Sequence, residues 1–548
     1  MKTQFNFNIP QTSFSVKSSK AFMIALVVTG VLAAVNDYVS LPAYNLHDMS
    51  FIFLLAFYLV VFAFVYVLLS QKTNAIFTFP IIAAIILVVS SIGLSFLGSE
   101  FLNSSKYREQ ISITEQNEFN GDFTLVNLDQ VPLVDKATAQ QLGDKQIGKV
   151  QGLGSQFNIN QDYTLISSNA QIYRISPLEH QDFFKWFQNR VSGIPGYIQV
   201  NVTDPNDVSL VDLAQGIIYS PSAYFDQDLL RHVRFSYRTE ILRDFSFEID
   251  DQGRPFYVIS VVEPEIGWFT GLDTQAVIIV DAISGDMNKF SLEELPLWVD
   301  RAQPTELAWS QIDNWGYYVH GYWNTIFGQK DMLQTTEGYN YVSIEGQTYI
   351  FSGLTSVGSD RSIVGFALIN LRTKEARFIK VGGADEYSAM SSAQGQVQDL
   401  NYEATFPVLL NIESKATYFM SLKDNEGLVK LYAMVNVQDY SVVGVGESLE
   451  EAKTAYIAKL RNSGLVEIPV IESTQLTGTI QTIKSAIING TTQFYLILEG
   501  SPQLYVASAD LSVELMLSEV GDVVTLEIAT EDLQTLNLKS FDNLNYTY

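Results

Sequence analysis

The chain has 548 residues, a formal net charge of −27, 47% hydrophobic residues and no cysteine. Its length exceeds that of one ordinary domain, and its apolar content excludes a disordered protein. The lack of cysteine excludes disulfides, thiolate metal sites, cysteine nucleophiles and a lipidated N-terminal cysteine. The composition therefore predicts several folded domains without thiol chemistry.

Three apolar runs, at residues 21–38, 50–69 and 76–97, dominate the first hundred residues. The second and third runs each have about 20 residues without a charge, which is the length that a bilayer core requires. The first run is shorter and by itself resembles a signal-peptide core, but two further spans follow it in place of a soluble domain. We therefore predict three transmembrane helices within residues 21–98.

Lysines near the ends of these runs predict the orientation of the chain. Lys2, Lys17 and Lys20 precede the first run, and Lys72 lies between the second and the third. The loop at residues 36–49 contains no lysine or arginine. Because basic flanks stay in the cytoplasm, we expect residues 1–20 to be cytoplasmic and the chain after the third helix to be extracellular.

The predicted exterior is strongly acidic. Residues 101–548 contain 29 basic and 57 acidic side chains, a net charge of −28. A surface of this charge repels nucleic acid and anionic head groups. We therefore expect the lipid bilayer as a partner of the chain, and no nucleic acid.

Residues 105–245 predict a first extracytoplasmic α+β domain. A short helix is predicted near residues 134–142, and strand-like residues follow at 162–175. Residues 177–191 contain a helix start with four crowded aromatic residues, and a turn at Gly193 leads into a strand that ends near Val202.

Three aromatic strands that begin with Tyr-x-x-Ser indicate a weak internal repeat. Each is followed by a loop, a second strand, a turn and a third strand. The copies comprise residues 257–260, 276–281 and 287–290; residues 349–352, 366–371 and 376–379; and residues 418–421, 432–437 and 441–445. The alternation of apolar and polar residues predicts antiparallel sheets.

Each copy is accompanied by a predicted helix, at residues 305–327, 385–394 and 448–460. The last helix opens with Ser448 and Glu451, the pattern of a capping box. The first has apolar residues at alternating steps of four and three: Ala308, Ile312, Trp315, Val319, Tyr322 and Ile326. We expect each helix to cover the sheet of its own copy, with one module at residues 246–328 and two at 329–465.

Residues 470–548 predict a small β-barrel with an OB-like fold. Five short strands occur without a helix between them, at residues 479–488, 493–498, 503–507, 514–516 and 523–528.

Residues 247–290 resemble a PepSY-type module, in which a strand pair ends in a turn like that of Val280, Asp281, Ser284, Gly285 and Asp286. More broadly, residues 105–548 are similar to uncharacterised membrane-anchored surface proteins of Gram-positive bacteria. The likeness is carried by GIPGYIQVN (193–201), FSFEIDDQGRPFYV (245–258), LPLWVDRAQP (295–304), YFMSLKDNEGLVKLYAMVNV (418–437) and the C-terminal barrel. The resemblance implies a surface location and a role in binding or restraining a component of the cell envelope. It implies no catalytic residues.

Sequence motifs for chemistry are weak. The four histidines lack the spacing of zinc ligands. Acidic clusters at residues 204–207 and 248–251 lack the ligand run of a twelve-residue calcium loop, and turns favour the same residue types. The sequence contains no Gly-x-Ser-x-Gly elbow. We therefore predict no catalytic, cofactor-binding or metal-binding residues.

Residues 291–327 contain four of the six tryptophans and supply the candidate ligand site. An aromatic pocket with Arg301 paired to an anionic ligand would use Trp298, Asp300, Arg301, Trp315, His320 and Trp323. The alternative is that the tryptophans form core and the two charged residues form structural ion pairs. Since Pro296 and Pro304 bracket a connector between modules, we expect this segment to be chiefly scaffold.

These features predict a membrane-anchored, non-catalytic protein that binds or regulates an envelope protein, a peptide or a wall polymer. Two alternatives stay open. One is a cell-envelope enzyme that acts on wall polymer, and the other is a structural subunit of a larger membrane complex.

Overall fold

The computed structural model describes residues 16–116, 119, 131–168, 171–344, 346–358, 362–465, 473–488, 491–529 and 535–546. The chain divides into two compact units, Met1–Leu460 and Arg461–Tyr548. Most of the predicted cytoplasmic N-terminus and the first residues of the predicted barrel, 470–472, lie outside the described residues. The finer domain boundaries stay predictions.

All three apolar runs form helices long and apolar enough to cross a bilayer. These are α1 (Ser18–Ser40), α2 (Met49–Ser70) and α3 (Ala75–Leu97). Asp48 and Asn74 cap the N-termini of α2 and α3 by accepting hydrogen bonds from the backbone N–H of Ser50 and Ile76. The prediction of three membrane-spanning helices is thus supported by their length and composition.

One end of the three helices contacts the remainder of the first unit, and we call it the domain end. Here Arg238 pairs with Asp37 at 2.9 Å, close to the end of α1. The Thr270 hydroxyl donates a 2.9 Å hydrogen bond to the carbonyl of Gly98, directly after α3. Helix α4 (Glu100–Glu109) begins two residues beyond Gly98. The α+β part of the unit is therefore joined to the helices by packing as well as by the chain.

Two antiparallel sheets share one hydrophobic core. The first sheet contains β2 (Phe157–Ile159), β3 (Thr164–Ser168), β4 (Gln171–His180), β5 (Ile194–Asn201) and β6 (Val208–Ile217). The second contains β7 (Ile241–Ile249), β8 (Pro255–Pro264), β9 (Leu272–Asp281) and β10 (Met287–Ser291), in the order β10-β9-β8-β7. Ile175, Ile198, Phe247, Ile259 and Ile278 belong to the shared core. The helices of this region are α5 (Lys136–Gly148), α6 (Phe183–Asn189) and α7 (Leu229–Ser236).

Two more sheets follow in the first unit. The third contains β1 (Ile113–Gln116), β11 (Leu333–Thr335), β12 (Asn340–Ile344), β13 (Gln347–Ser356), β14 (Ser362–Asn370) and β15 (Ala376–Ala384). The fourth contains β16 (Glu403–Ala404), β17 (Val408–Ile412), β18 (Lys415–Lys423), β19 (Val429–Asn436) and β20 (Val443–Gly446). The accompanying helices are α8 (Thr305–Tyr317), α9 (Glu386–Gly395) and α10 (Leu449–Asn462). The predicted α+β class, with several antiparallel sheets, is confirmed.

The internal repeat corresponds to three antiparallel meanders, β8-β9-β10, β13-β14-β15 and β18-β19-β20. The tyrosine that opens each copy is buried: Tyr257, Tyr349 and Tyr418 are at most 5% exposed. The strands of the repeat are thus present as predicted. Their identity as PepSY-like modules stays a prediction.

Two predictions about residues 305–327 are wrong. The helix ends at Tyr317, because Tyr318 packs with Tyr107 and Ile266 in a separate hydrophobic cluster and because Gly321 adopts a φ of 80°. Helix α8 also covers the third sheet, since Ala308, Ile312 and Trp315 pack with Ile350 and other residues of that sheet.

The second sheet is covered by the connector that precedes α8. Its residues Leu295, Val299 and Ala302 pack against Val258 and Val277. A connector can replace a helix here because its apolar residues meet a sheet face that is also apolar.

Strands of the second unit are β21 (Ser473–Ile488), β22 (Thr491–Leu498), β23 (Leu504–Ser508), β24 (Val523–Ala529) and β25 (Thr535–Asn543). They pair in the order β21-β22-β23-β25-β24, and β21 pairs with both β22 and β24. The strand predicted at residues 514–516 is wrong, because this stretch is a 3-10 turn, Val513–Met516. An OB-like fold for this unit stays a prediction.

Candidate functional site

A cavity of 990 Å³ lies in the first unit, where three of its sheets meet. Its walls come from β3 and β4 of the first sheet, β7 and β8 of the second, β12 of the third, and the start of α8. The cavity is large enough for a small ligand or for one end of a polymer.

Charged side chains of both signs line this cavity. The cationic residues are Lys136, Arg174, Arg243 and Arg301, and the anionic residues are Asp135, Asp162, Asp244 and Glu306. Three of the four acids are already paired: Asp135 with Lys423 at 2.6 Å, Asp162 with Lys136 at 2.8 Å and Asp244 with Arg301 at 3.2 Å. The basic groups are therefore less completely neutralised than the acidic ones.

Arg174 is the most buried of these cations. It lies on β4 and is only 4% exposed. Its Nε donates a 3.2 Å hydrogen bond to the carbonyl of Val134, and among the described residues no acceptor meets its two terminal nitrogens. Burial lowers the pKa of Arg174 and the neighbouring Arg301 lowers it further, whereas the Asp135 carboxylate and Tyr341 raise it. A buried guanidinium that forms no direct ion pair is costly for an apo protein.

Arg301 lies beside the same cavity and is fixed more tightly. Its Nη2 donates hydrogen bonds to Asp244 at 3.2 Å and to the Thr305 hydroxyl at 3.0 Å. Its guanidinium also lies 5.6 Å from the centre of the Tyr341 ring. Asp244 reaches this position through a β-bulge in β7, where it adopts a φ of 49°. The Nε of Arg301 has no hydrogen-bond partner among the described residues.

A buried carboxylate positions the backbone before and at Arg301. Glu248 on β7 is fully buried and accepts hydrogen bonds from the backbone N–H of Asp300 at 2.7 Å and of Arg301 at 3.2 Å. The Asp300 carboxylate is also buried and accepts from the N–H of Ser167 at 2.6 Å. Burial raises the pKa of Glu248 to about 7. Burial and the Glu248 carboxylate together raise the pKa of Asp300. Glu248 and Asp300 are therefore positioning residues for the wall of the cavity.

Aromatic residues complete the lining: Tyr163, Phe245, Phe247, Tyr257, Tyr339, Tyr341 and Phe406. The Tyr339 and Tyr341 rings meet edge to face at 5.6 Å. The Tyr257 hydroxyl is buried and has no hydrogen-bond partner among the described residues, and burial raises its pKa, so that it stays a donor. Ring faces and unused donors suit an organic ligand that carries acceptor oxygens.

The structure places the six predicted pocket residues in different surroundings. Arg301 lines the cavity, and Asp300 lies behind it as described above. Trp298 stacks on Phe256 at 4.9 Å, and Trp315 is buried between α8 and the third sheet. His320 is exposed and hydrogen-bonds Asp331 at 2.8 Å, and Trp323 is exposed at the domain end. Of the six residues, Arg301 is the one that lines the cavity, and Trp298 and Trp315 pack in hydrophobic clusters.

The acidic clusters that were weighed as calcium sites form turns. The Asp250 carboxylate accepts from the backbone N–H groups of Gln252 and Arg254, each at 2.9 Å, and Asp204 accepts from that of Asn206 at 2.9 Å. Within the described parts of the chain, no three His, Asp or Glu side chains come together as a metal site requires.

Comparisons with known proteins add little to this site. No protein-family model matches the chain, and no curated protein matches it. Among solved structures, the chain is similar to a variant of levansucrase from B. megaterium at 9% identity, over 78% of this chain and 97% of that chain, with a TM-score of 0.19. A TM-score of that size carries no argument about fold or activity.

Proposed function

We propose that this chain is a membrane-anchored, non-catalytic binding or regulatory protein of the bacterial cell envelope. Its cavity takes a carboxylate or phosphate group of an envelope peptide or wall polymer. The proposal keeps the expected class of function and moves the site from the tryptophan-rich segment to the cavity around Arg174.

The observation that carries the proposal is the state of Arg174. Its guanidinium is buried beside a cavity, and no described carboxylate lies within ion-pairing distance of it. Arginine forms paired hydrogen bonds with carboxylate and phosphate groups, which match its planar geometry. An anionic ligand group would supply the acceptors that the protein does not.

A second guanidinium strengthens the same preference. Arg301 interacts unfavourably with Arg174, although Asp244 partly neutralises it. A negative group between two cations lowers their mutual repulsion as well as binding each of them. The surrounding tyrosine rings favour a ligand with an organic body, such as a peptide or a sugar, over a free inorganic ion.

The side of the membrane on which the cavity lies is part of the proposal. It rests on the lysines at residues 2, 17, 20 and 72, which favour a cytoplasmic N-terminus. An odd number of spans then places the cavity outside the cell. Labelling of a cysteine introduced at exposed Leu297 with a membrane-impermeant reagent in intact cells tests this placement.

Titration calorimetry of the full chain in lipid nanodiscs tests the binding function. The ligands are an acidic peptide, a wall polymer with phosphodiester groups and an uncharged glycan. The variant is Arg174→Gln, and the matched control is Arg377→Gln, which removes an exposed arginine that pairs with Glu375 at 2.9 Å and does not line the cavity.

We expect one of the anionic ligands to bind, and the Arg174→Gln variant to bind it at least about tenfold more weakly, since a charge-assisted hydrogen bond is worth roughly 1.5–3 kcal/mol. The control should bind like the wild type. Equal affinity of both variants, or binding of the uncharged glycan alone, would contradict the site. Cleavage of the bound polymer would favour the envelope-enzyme alternative.

A further inference from the structure

A group of exposed apolar side chains lies beside the domain end of α3. After α8, the chain forms one wide helical turn, Asn324–Gly328, that follows Trp323. Trp323 is 58% exposed and Phe327 is 78% exposed, and their rings stack at 5.7 Å. Together with Phe101 of α4, we call them the aromatic foot. Side chains of this size are rarely left in water as a contiguous group.

The aromatic foot is continuous with the membrane-spanning helix. The Phe101 ring contacts that of Trp323 at 5.4 Å and that of Phe96, within α3, at 6.0 Å. The backbone N–H of Tyr322 donates a 3.2 Å hydrogen bond to the Ser104 hydroxyl of α4. Because lipid surrounds α3 and therefore Phe96, the same lipid can contact the adjacent rings of Phe101 and Trp323.

The depth of the foot follows from its contact with the end of α3. Phe96 lies one residue before Leu97, the last residue of α3. Because the Phe101 ring is centred 6.0 Å from that of Phe96, it lies within about 6 Å of the apolar span. The polar layer on each side of the hydrocarbon core is about 5–7 Å thick. Phe101 and its neighbour Trp323 therefore lie at the level of the lipid head groups.

Other aromatic contacts of the α+β part occur at the same end of the helices. Phe235 of α7 packs on Tyr38 of α1 at 6.4 Å. Trp268 stacks on His47, in the loop before α2, at 4.4 Å, and donates a 2.9 Å hydrogen bond to the carbonyl of Leu46. Aromatic side chains concentrate at the interface between bilayer and water, where an apolar body and a polar edge are both satisfied.

We infer that the α+β part of the first unit rests on the membrane through the aromatic foot, with Trp323 and Phe327 inserted among lipid head groups. The occupant of this surface is the bilayer that surrounds α3, in place of a protein partner. The inference is independent of the ligand proposed for the cavity. Insertion at this point fixes the height and tilt of the domain that contains the cavity.

The test uses single cysteines, because the chain has no cysteine of its own. Phe327→Cys is labelled with an environment-sensitive fluorophore in the full chain, reconstituted in phosphatidylcholine vesicles that contain a nitroxide-bearing lipid. The control is Leu297→Cys, since Leu297 is 91% exposed. Its neighbour Trp298 packs on Phe256, at the start of β8. The turn that contacts Gly98 follows the other end of β8. Eight residues of strand, about 26 Å, separate Phe256 from Pro264.

We expect the label at residue 327 to be quenched by the nitroxide lipid several-fold more strongly than the label at residue 297, and its emission to shift to the blue. Equal quenching at the two positions would overturn the inference. Quenching of the label by a second labelled copy, without quenching by lipid, would also overturn it and would assign the surface to an interface between copies. Thermal unfolding of both labelled variants shows that each chain is folded.

Discussion

Residues 295–317 and residues 318–328 belong to one aromatic segment, yet they meet different surroundings. In the first part, Trp315 is buried against Phe378 of the third sheet and Trp298 stacks on Phe256. In the second part, Trp323 and Phe327 stay exposed next to α3. The difference teaches that aromatic content does not separate core from membrane contact. Whether a residue lies in the core or at the membrane depends on the surface that it contacts, and distant parts of the chain form this surface.

The largest effect is expected for Trp315→Ala in the first part. Trp315 is 9% exposed and packs with Ala308 and Ile312 in the core of the third sheet. Removing a buried tryptophan costs about 3–5 kcal/mol through lost burial and the cavity left behind. Denaturant-induced unfolding in detergent, followed by circular dichroism, measures the change. A loss below about 1 kcal/mol would contradict the core position.

A second prediction concerns the carboxylate behind the first part. The Glu248 pKa is raised from 4.5 to about 7, so its folded state favours the protonated form. The stability contributed by this group is complete below pH 4.5 and is lost as the pH rises towards 7. A pKa shift of this size corresponds to a change in the free energy of unfolding on the order of 3 kcal/mol.

The variant Glu248→Gln removes this titration and retains one acceptor oxygen for the backbone N–H groups. We expect its stability to vary less than that of the wild type between pH 4.5 and 7, as measured by denaturant midpoints across that range. Parallel curves for the two proteins would show that Glu248 is ionised in the fold at all of these pH values.

Asp135→Asn is expected to have a smaller effect. Asp135 caps α5 by accepting from the N–H of Thr138 at 2.8 Å and pairs with Lys423 at 2.6 Å. Burial opposes its ionisation, but the hydrogen bonds from Lys423 and Thr138 outweigh burial and lower its pKa. Its contribution is therefore present above the usual value of 3.8 and is lost as the pH falls below it.

We expect Asp135→Asn to cost about 1 kcal/mol at neutral pH and less in acid. The matched control is Asp162→Asn, which removes the 91% exposed partner of Lys136 and should leave the unfolding midpoint unchanged. Equal losses for the two variants would contradict the buried character of the Asp135 pair.

The smallest effect on stability is expected for Trp323→Ala in the second part. Because Trp323 is more than half exposed, its loss in detergent should change stability by less than about 0.5 kcal/mol. A loss as large as that of Trp315→Ala would show that the two parts of the segment are alike.

The membrane helices and many of the strands were predictable from the sequence because their signals are local. An apolar run of sufficient length, as at residues 76–97, needs no knowledge of its neighbours. The Tyr-x-x-Ser strands are short, mostly apolar runs, and nearly all of their residues are buried, on both faces of the sheet. The capping box at Ser448 is likewise local, and the Ser448 hydroxyl accepts from the N–H of Glu451 at 3.2 Å.

The site depends on contacts that no local pattern reports. Arg174 is the one arginine of β4, and its position at the cavity follows from the pairing of β4 with β3 and β5. Glu248 looked like part of an acidic turn, but its carboxylate binds backbone N–H groups 52 and 53 residues away. A charged residue directly between two apolar strand residues is the signal that would have nominated both, since Arg174 follows Tyr173 and precedes Ile175 and Glu248 follows Phe247 and precedes Ile249. Arg301 was nominated for its charge, and it does line the cavity.

The measurement that tests the account most directly compares wild-type protein with Arg174→Met in thermal unfolding, with and without the anionic ligand found by calorimetry. Methionine follows the arginine side chain as far as Nε and removes the buried charge, although it also removes the hydrogen bond to the Val134 carbonyl. We expect the ligand-free variant to be more stable by about 1 kcal/mol. The ligand should raise the unfolding temperature of the wild type and leave that of the variant unchanged. A variant that is less stable without ligand, and still stabilised by it, would show that Arg174 is a structural residue and that the cavity does not bind anions through it.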